Sequence, residues 1–312
     1  AATGTQLTLA GDATTSTTGR NTKERGILVQ SGYTLTTSGD ITLDGSSKSG
    51  EGISFGSTIN VTGTNSKLTI KGTAAATSNA NLNALGFSGT LNNNGTNTQP
   101  ITFIGEAKNQ SGTNIDTAVN ISGTVNGGTA NVNVQAKYGK IAISAGTAGA
   151  AINGANISID NTFGTIDATT GAITEGAGTS NYTNAIDVSG VLNVALNASG
   201  NVNILGKVAN TTHTGVNTTT VAAITSTGTA ANINIASNGN LVSAAALKVT
   251  GATGGGSNIN LTSTNGTITG AGAIGDTTNK NGSVTFTQGS TSTYDGAINA
   301  ANFTKAGTGA LT

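Results

Sequence analysis

The sequence GILVQSGYTLTTSGDITL at residues 26–43 starts with a small residue and a large aliphatic residue, and continues as short apolar stretches separated by polar turns. The same pattern returns as GISFGSTINVTGTNSKLTI at 52–70, as ALGFSGTLNNNGTNTQPITF at 84–103 and as AVNISGTVNGGTANVNV at 118–134. Four further copies begin at Ala151, Ala185, Ala223 and Ala246. A repeat of this length is typical of a solenoid.

The first aliphatic residues of the copies recur every 23 to 38 residues, at Ile27, Ile53, Leu85, Val119, Ile152, Ile186, Ile224 and Leu247. Apolar residues alternate with polar ones inside nearly every copy, which indicates β-strands. Because such short strands cannot bury an apolar face alone, we expect them to coil into a right-handed parallel β-helix of roughly ten turns. Residues 1–312 are predicted to form one continuous segment, with residues 1–25 as an irregular lead-in coil.

The composition excludes several other classes of protein. The 312 residues include 47 Gly and one Pro, no Cys, and only 8% charged residues, with a net charge of zero. Intrinsic disorder usually combines low hydrophobicity with high net charge, so a neutral chain with regular apolar positions is expected to fold. Nucleic-acid binding is not expected either, because the chain lacks the positive charge that neutralises phosphates.

The repeat also predicts which side chains point inward. Ile, Val, Leu and Ala should fill the core, with Phe55, Phe87 and Phe103 in its wider parts, while Thr, Ser and Asn point outward. Asparagines that recur at strand edges are expected to stack as side-chain amide ladders along the rod; they are Asn131, Asn201, Asn232 and Asn258. Neither end has a recognisable cap, so we expect uncapped ends and a segment of a longer rod.

This repeated pattern resembles the β-helical passengers of type V secretion, namely the filamentous-haemagglutinin and high-molecular-weight-adhesin group and the autotransporters. The last ten residues, FTKAGTGALT at 303–312, resemble the opening of the autotransporter-associated β-strand repeat. The positions that match are Phe303, Lys305, Gly307, Gly309 and Leu311. The resemblance covers nearly the whole chain in pattern and composition, and it leaves open whether the secretion branch is the autotransporter or the two-partner type.

The resemblance implies an exoprotein of Gram-negative bacteria, located outside the cell or on the outer-membrane surface. Its implied partners are an outer-membrane β-barrel translocator during export and a glycan or protein on a host or bacterial surface. Lateral or end-to-end self-association is a further expectation. Adhesion is therefore the first functional hypothesis, and a purely structural fibre is the alternative. A polysaccharide-active enzyme is the third, because single-chain β-helices include lyases and hydrolases.

The sequence offers little catalytic chemistry. Asp40 and Asp44 flank the strand-like ITL and are interpreted as turn residues. The charged cluster RNTKERG at residues 20–26 is interpreted as a solvated loop. His213 has no second His, Cys or carboxylate nearby in the sequence, whereas a metal site needs about three protein ligands. We therefore predict no catalytic residue, no cofactor and no metal site.

Sequons of the form N-x-S/T are numerous and are candidate glycosylation sites. In a chain so rich in Asn, Ser and Thr, composition alone accounts for most of them. They begin at Asn60, Asn94, Asn109, Asn120, Asn156, Asn181, Asn197, Asn210, Asn217, Asn260, Asn265, Asn281 and Asn302. Two long segments between coils, 73–85 and 168–183, slightly favour adhesion, since loops on a solenoid commonly carry recognition.

Overall fold

The computed structural model describes residues 6–13, 24–48, 50–75, 82–108, 117–143, 151–166, 173–178, 184–187, 195–207, 218–221, 223–243, 245–251, 256–275, 277–278 and 281–312. These residues form a right-handed parallel β-helix, as predicted. They contain strands and turns but no helix, and hence no helix that could cross a membrane. Each coil contributes strands to the sides of the rod.

Three parallel sheets form those sides, with strands numbered along the chain. Sheet A has eleven strands: β1 Leu7–Ala13, β4 Ile41–Ser47, β7 Leu68–Ala74, β10 Ile101–Ala107, β13 Val132–Lys137, β16 Ile157–Asp160, β21 Val202–Gly206, β24 Asn232–Ser237, β27 Asn258–Ser263, β29 Asn281–Gln288 and β30 Ala300–Ala306. Sheet B has nine: β2 Arg25–Val29, β5 Glu51–Phe55, β8 Asn83–Phe87, β11 Thr117–Ile121, β14 Lys140–Ile143, β19 Asn184–Asp187, β22 Thr218–Val221, β25 Asn240–Ser243 and β28 Ile268–Gly270.

Sheet C has eight strands: β3 Thr34–Thr37, β6 Thr58–Val61, β9 Thr90–Asn93, β12 Thr124–Asn126, β15 Ala151–Gly154, β20 Ala195–Ala198, β23 Ala223–Ser226 and β26 Leu247–Val249. One antiparallel hairpin, β17 Thr165–Ile166 with β18 Ile173–Thr174, stands outside the three sheets. It lies in the longest coil, in which the equivalent residues Asn156 and Asn201 are 45 positions apart. Part of the predicted long segment 168–183 thus belongs to this hairpin.

The eight aliphatic residues that mark the predicted repeat do not all lie in the same column of the rod. Ile27, Ile53, Leu85, Val119 and Ile186 share one column of sheet B, as the repeat requires. The other three predicted members, Ile152, Ile224 and Leu247, lie in sheet C instead. Strands of both sheets can begin with a small residue and an aliphatic residue, so the sequence pattern alone does not separate them. The residues that occupy the sheet B column in those three coils are Ile141, Thr219 and Leu241.

Small residues mark the corner where sheet A meets sheet B. Gly72 of β7 lies so close to the next strand that an added Cβ would be 2.0 Å from the carbonyl oxygen of Ala84. A Cβ added to Gly45 would lie 2.3 Å from the carbonyl oxygen of Gly52, and one added to Gly105 would lie 2.0 Å from that of Ala118. The small residue that opens each of these copies is thus one side of a close backbone contact, and it precedes the buried aliphatic residue of sheet B.

The core follows the sequence closely, and the described part of the first coil is a regular strand. Phe55 stacks on Phe87 with ring centroids 5.7 Å apart, and Phe87 meets Phe103 edge to face at 5.3 Å, which confirms these three as core residues. Within the predicted lead-in at 1–25, Leu7–Ala13 forms β1, which pairs in register with the whole of β4. Residues 1–5 and 14–23 of that segment lie outside the described ranges.

Three asparagine ladders run along the described part of the rod, and one of them joins Asn203, Asn234 and Asn260 on sheet A at 2.8 and 2.9 Å. The predicted stacking of Asn131, Asn201, Asn232 and Asn258 is confirmed and gains Asn156. Each Oδ1 accepts a hydrogen bond of 2.7 to 3.0 Å from the next rung, donated by Nδ2 of Asn156 and Asn258 and by the backbone N–H of Asn201 and Asn232. The ladder on sheet C joins each Nδ2 to the preceding Oδ1 at 2.9 to 3.0 Å, through Asn60, Asn92, Asn126, Asn153 and Asn197. The ladders satisfy amides that would otherwise compete with the backbone.

Candidate functional site

The outer face of sheet A carries charged side chains on its first strands and neutral ones on its later strands. On β4, β7, β10 and β13 the outward positions include Asp44, Lys71, Glu106 and Lys137. The outward positions of β21, β24 and β27 hold no charged residue, and their asparagines hydrogen-bond from coil to coil. We name the charged part the sheet A strip, defined as Asp12, Asp44, Lys71, Glu106, Lys108 and Lys137.

A groove of about 460 Å³ is lined by every residue of the sheet A strip except Lys137. Its charged lining consists of Asp12, Asp44, Lys71, Glu106 and Lys108. The Lys71 ammonium lies 3.4 Å from the Asp44 carboxylate, and the two side chains are 40% and 45% exposed. The groove therefore offers donors and acceptors to a polar ligand in a well-hydrated setting, where each ion pair contributes little to stability.

Asp40 and Asp44, predicted as two turn residues, have different environments. Asp40 precedes β4, and its Oδ1 accepts a hydrogen bond from the backbone N–H of Lys67 at 2.8 Å. Asp44 was predicted wrongly, because the alternation of buried and outward residues continues through ITLDGSS and places Asp44 in mid-strand. The structure pairs Asp44 with a lysine and not with a second carboxylate.

The charged cluster at residues 20–26 was also misinterpreted in part. Arg25 begins strand β2, and its Nε donates a hydrogen bond of 2.7 Å to Glu51 on β5. These two side chains are only 26% and 14% exposed. A cross-strand ion pair thus stands where the sequence indicated a solvated loop; Arg20 and Lys23 lie outside the described residues.

The hairpin β17–β18 is joined to sheet A by the buried carboxylate of Asp160. Its Oδ1 accepts hydrogen bonds from the backbone N–H and the hydroxyl of Thr162, at 2.8 and 2.6 Å, and its Oδ2 accepts one from the N–H of Gly164 at 2.6 Å. Burial raises the pKa of Asp160 above its usual value of 3.8, and the hydrogen bonds only partly oppose this shift. An ion pair between Glu175 and Lys207 adds a second link from the hairpin to the rod.

Two exposed aromatic rings lie beside the end of the sheet A strip. Tyr138 follows β13 at the corner with sheet B, and Phe163 follows β16 at the base of the hairpin. The Lys137 ammonium lies 5.1 Å from the centre of the Tyr138 ring and 5.8 Å from that of Phe163. It also lies 3.5 Å from Glu106, which lines the groove. The groove and the two rings therefore belong to one continuous surface.

No protein-family model, no curated protein and no solved structure matches this chain. Among the residues that the structure describes, no group of three His, Cys, Asp or Glu side chains could hold a metal ion. His213 lies outside those residues. The function is therefore inferred from the surfaces of the rod.

The candidate glycosylation sites fall into three groups. Three of them donate Nδ2 to a ladder neighbour and would have to share that nitrogen with a glycan, namely Asn156, Asn197 and Asn260. Asn60 accepts within a ladder, Asn94 donates to Thr62, Asn120 is half-buried, and Asn265 and Asn302 are exposed. Outside the described residues, or with an undescribed side chain, are Asn109, Asn181, Asn210, Asn217 and Asn281. Glycosylation stays a prediction at all of them.

Proposed function

We propose that this chain is a segment of a surface-exposed or secreted bacterial adhesin, a β-helical rod that attaches its bearer to host cells, other bacteria or matrix. The observation that carries the proposal is the sheet A strip. It concentrates charge on one face of the rod, whereas the later strands of the same sheet present Asn and Thr. Because the backbone of a parallel β-helix is held by neighbouring coils, such a strip is a preorganised surface for a ligand.

The same proposal includes export by type V secretion, through an outer-membrane β-barrel partner, to the cell surface. Two features support it. The FTKAGTGALT segment continues the rod, with Ala300–Ala306 paired in register to β29. The chain also has no Cys and gains its burial by stacking coils, so it can cross a narrow pore unfolded and need not form disulfides to fold outside.

Binding of the purified rod to host cells, bacterial cells and matrix proteins tests the proposal. In a strip variant, Asp44→Asn, Lys71→Met and Glu106→Gln remove charge with little change of shape. We expect this variant to lose at least about tenfold in cell binding, since interfacial polar groups set specificity. A matched control, Asn203→Ser with Asn234→Ser, changes the neutral part of the same sheet and should bind as the unmodified rod does. A folded rod that binds none of these surfaces would refute direct adhesion.

A structural fibre segment is the second candidate, and the amide ladders favour it. They run along neutral faces and reinforce contacts between coils, which is what a spacer requires. The strip experiment separates the two functions: a spacer would tolerate the three substitutions without any change in attachment of a longer protein that contains it. Enzymatic action on polysaccharide has less support, because Asp44 faces Lys71 and not a second acid.

A further inference from the structure

Tyr138 and Phe163 share an unusual backbone conformation. Their φ angles are 64° and 57°, and they are the two non-glycine residues with positive φ among those described. Bulky side chains rarely adopt this left-handed region, and such strain persists only where the surrounding structure imposes it. Both side chains are also exposed, by 40% and 41%. The two residues with a strained backbone therefore carry aromatic rings that are not buried in the core.

The buried Asp160 imposes the conformation of Phe163. Its carboxylate accepts the backbone N–H groups of Thr162 and Gly164, which are the residues on either side of Phe163. A further hydrogen bond, of 2.7 Å, runs from Nε2 of Gln135 to the carbonyl oxygen of Gly164. The chain at residue 163 is therefore held at three points, and the ring is directed outward from a fixed backbone.

The two rings flank a charge pair that is neutral overall. The Lys137 ammonium is near both rings, and the Glu106 carboxylate lies 3.5 Å from it. The pair places a hydrogen-bond donor and an acceptor side by side next to aromatic faces. A ligand with hydroxyl groups can use both, since a hydroxyl donates and accepts at once.

We propose that Tyr138, Phe163, Lys137 and Glu106 form a binding site for a neutral pyranose sugar. The C–H groups of a sugar ring carry partial positive charge and pack on the negative faces of aromatic rings. Its hydroxyl groups hydrogen-bond to Lys137 and Glu106. Because the charge pair is already balanced, the site gains nothing from an anionic sugar. The proposal names the ligand class of the adhesin proposed above and rests on that function.

Glycine substitutions test the rings without threatening the fold. Phe163→Gly and Tyr138→Gly remove the aromatic faces, and glycine adopts positive φ freely, so the melting temperature should be unchanged or higher. We expect each variant to lose at least about tenfold in affinity for immobilised neutral oligosaccharides of glucose, galactose or mannose. Tyr33→Ala removes a 67% exposed tyrosine from another part of the rod and should bind as the unmodified rod does.

Sugar binding by Asp160 variants tests whether Asp160 acts by positioning the Phe163 ring. Asp160→Asn should weaken sugar binding in the unmodified rod but not in the Phe163→Gly background, since its effect acts through the ring. A general structural effect would weaken both backgrounds equally. Equal losses would refute the positioning role.

The sugar site would be overturned by a folded rod that binds no neutral oligosaccharide, or by glycine variants with unchanged affinity. Binding confined to acidic glycans and abolished by salt would overturn it as well. These experiments distinguish failure of the sugar site from failure of the proposed adhesin function. A rod that adheres to cells but binds no neutral sugar refutes the site alone, whereas one that binds sugar through these rings but adheres to no cell refutes the adhesin.

Discussion

A Cβ atom on Gly72 would lie 2.0 Å from the carbonyl oxygen of Ala84, which is closer than real Cβ contacts allow. We therefore expect Gly72→Ala to lower the free energy of unfolding by about 3 kcal/mol or more, because backbone must move at a packed corner. Denaturant unfolding followed by circular dichroism measures this loss. Gly95→Ala is the matched control: no atom lies within 4 Å of its added Cβ, so stability should be unchanged or slightly higher. Equal effects of the two substitutions would contradict the close contact.

The ladders should be cooperative supports whose inner rungs matter more than exposed asparagines elsewhere. Asn126 donates to Asn92 and accepts from Asn153, both at 2.9 Å. Asn126→Ala breaks both hydrogen bonds, and we expect a cost of about 1–2 kcal/mol in unfolding free energy. Asn265→Ala, at an exposed turn, should cost less than about 0.5 kcal/mol. Comparable losses at the two sites would mean that the ladder adds no stability.

Two of the ion pairs in the first coils, Arg25 with Glu51 and Lys71 with Asp44, should differ in strength. Arg25 and Glu51 are largely covered and 2.7 Å apart, whereas Lys71 and Asp44 are more exposed and 3.4 Å apart. Double-mutant cycles, with Met replacing the basic residue and Gln or Asn replacing the acidic one, should give a coupling free energy of about 1–2 kcal/mol for Arg25 and Glu51. The second should give less than about 1 kcal/mol and should weaken in salt. A larger coupling free energy for Lys71 and Asp44 than for Arg25 and Glu51 would contradict the expectation that the less exposed pair is the stronger one.

Much of this fold follows from local sequence. Alternation of apolar residues placed Phe55, Phe87 and Phe103 in the core, and recurrent Asn indicated a ladder, because both patterns repeat within each coil. Asp44 was misassigned because an isolated acid among small polar residues resembles a turn, and only its register with Lys71 shows a strand. The difference between sheets B and C was hidden for the same reason: their strands can begin alike.

The aromatic surface could not be predicted from sequence. Tyr138 and Phe163 are distant in the chain and become neighbours because β13 and β16 pair in parallel. Neither residue favours the positive φ angle that it adopts, so its type gives no sign of this conformation. A buried acid two or three residues before an exposed aromatic, such as Asp160 before Phe163, is the one local signal, and on its own it is indistinguishable from a turn.

The stability contributed by Asp160 should depend on pH in a direction opposite to that of an ordinary paired acid. Burial raises the pKa of Asp160 above 3.8, and the negative charge of Glu175 adds to the shift. A raised pKa means that the folded protein binds the proton more tightly than the unfolded chain does. The resulting stabilisation is complete below pH 3.8 and is lost as the pH rises through the folded-state pKa.

Asp160→Asn removes this titration and so isolates it. The difference in unfolding free energy, wild type minus Asp160→Asn, should therefore shift in favour of the wild type as the pH falls from neutral toward 3.8. Denaturant unfolding of both proteins across that range measures the difference, and the other carboxylates titrate in both and cancel. A shift in favour of the variant on acidification would mean that the hydrogen bonds from Thr162 and Gly164 outweigh burial. In that case the ionised carboxylate, not its burial, would dominate the energetics of the hairpin.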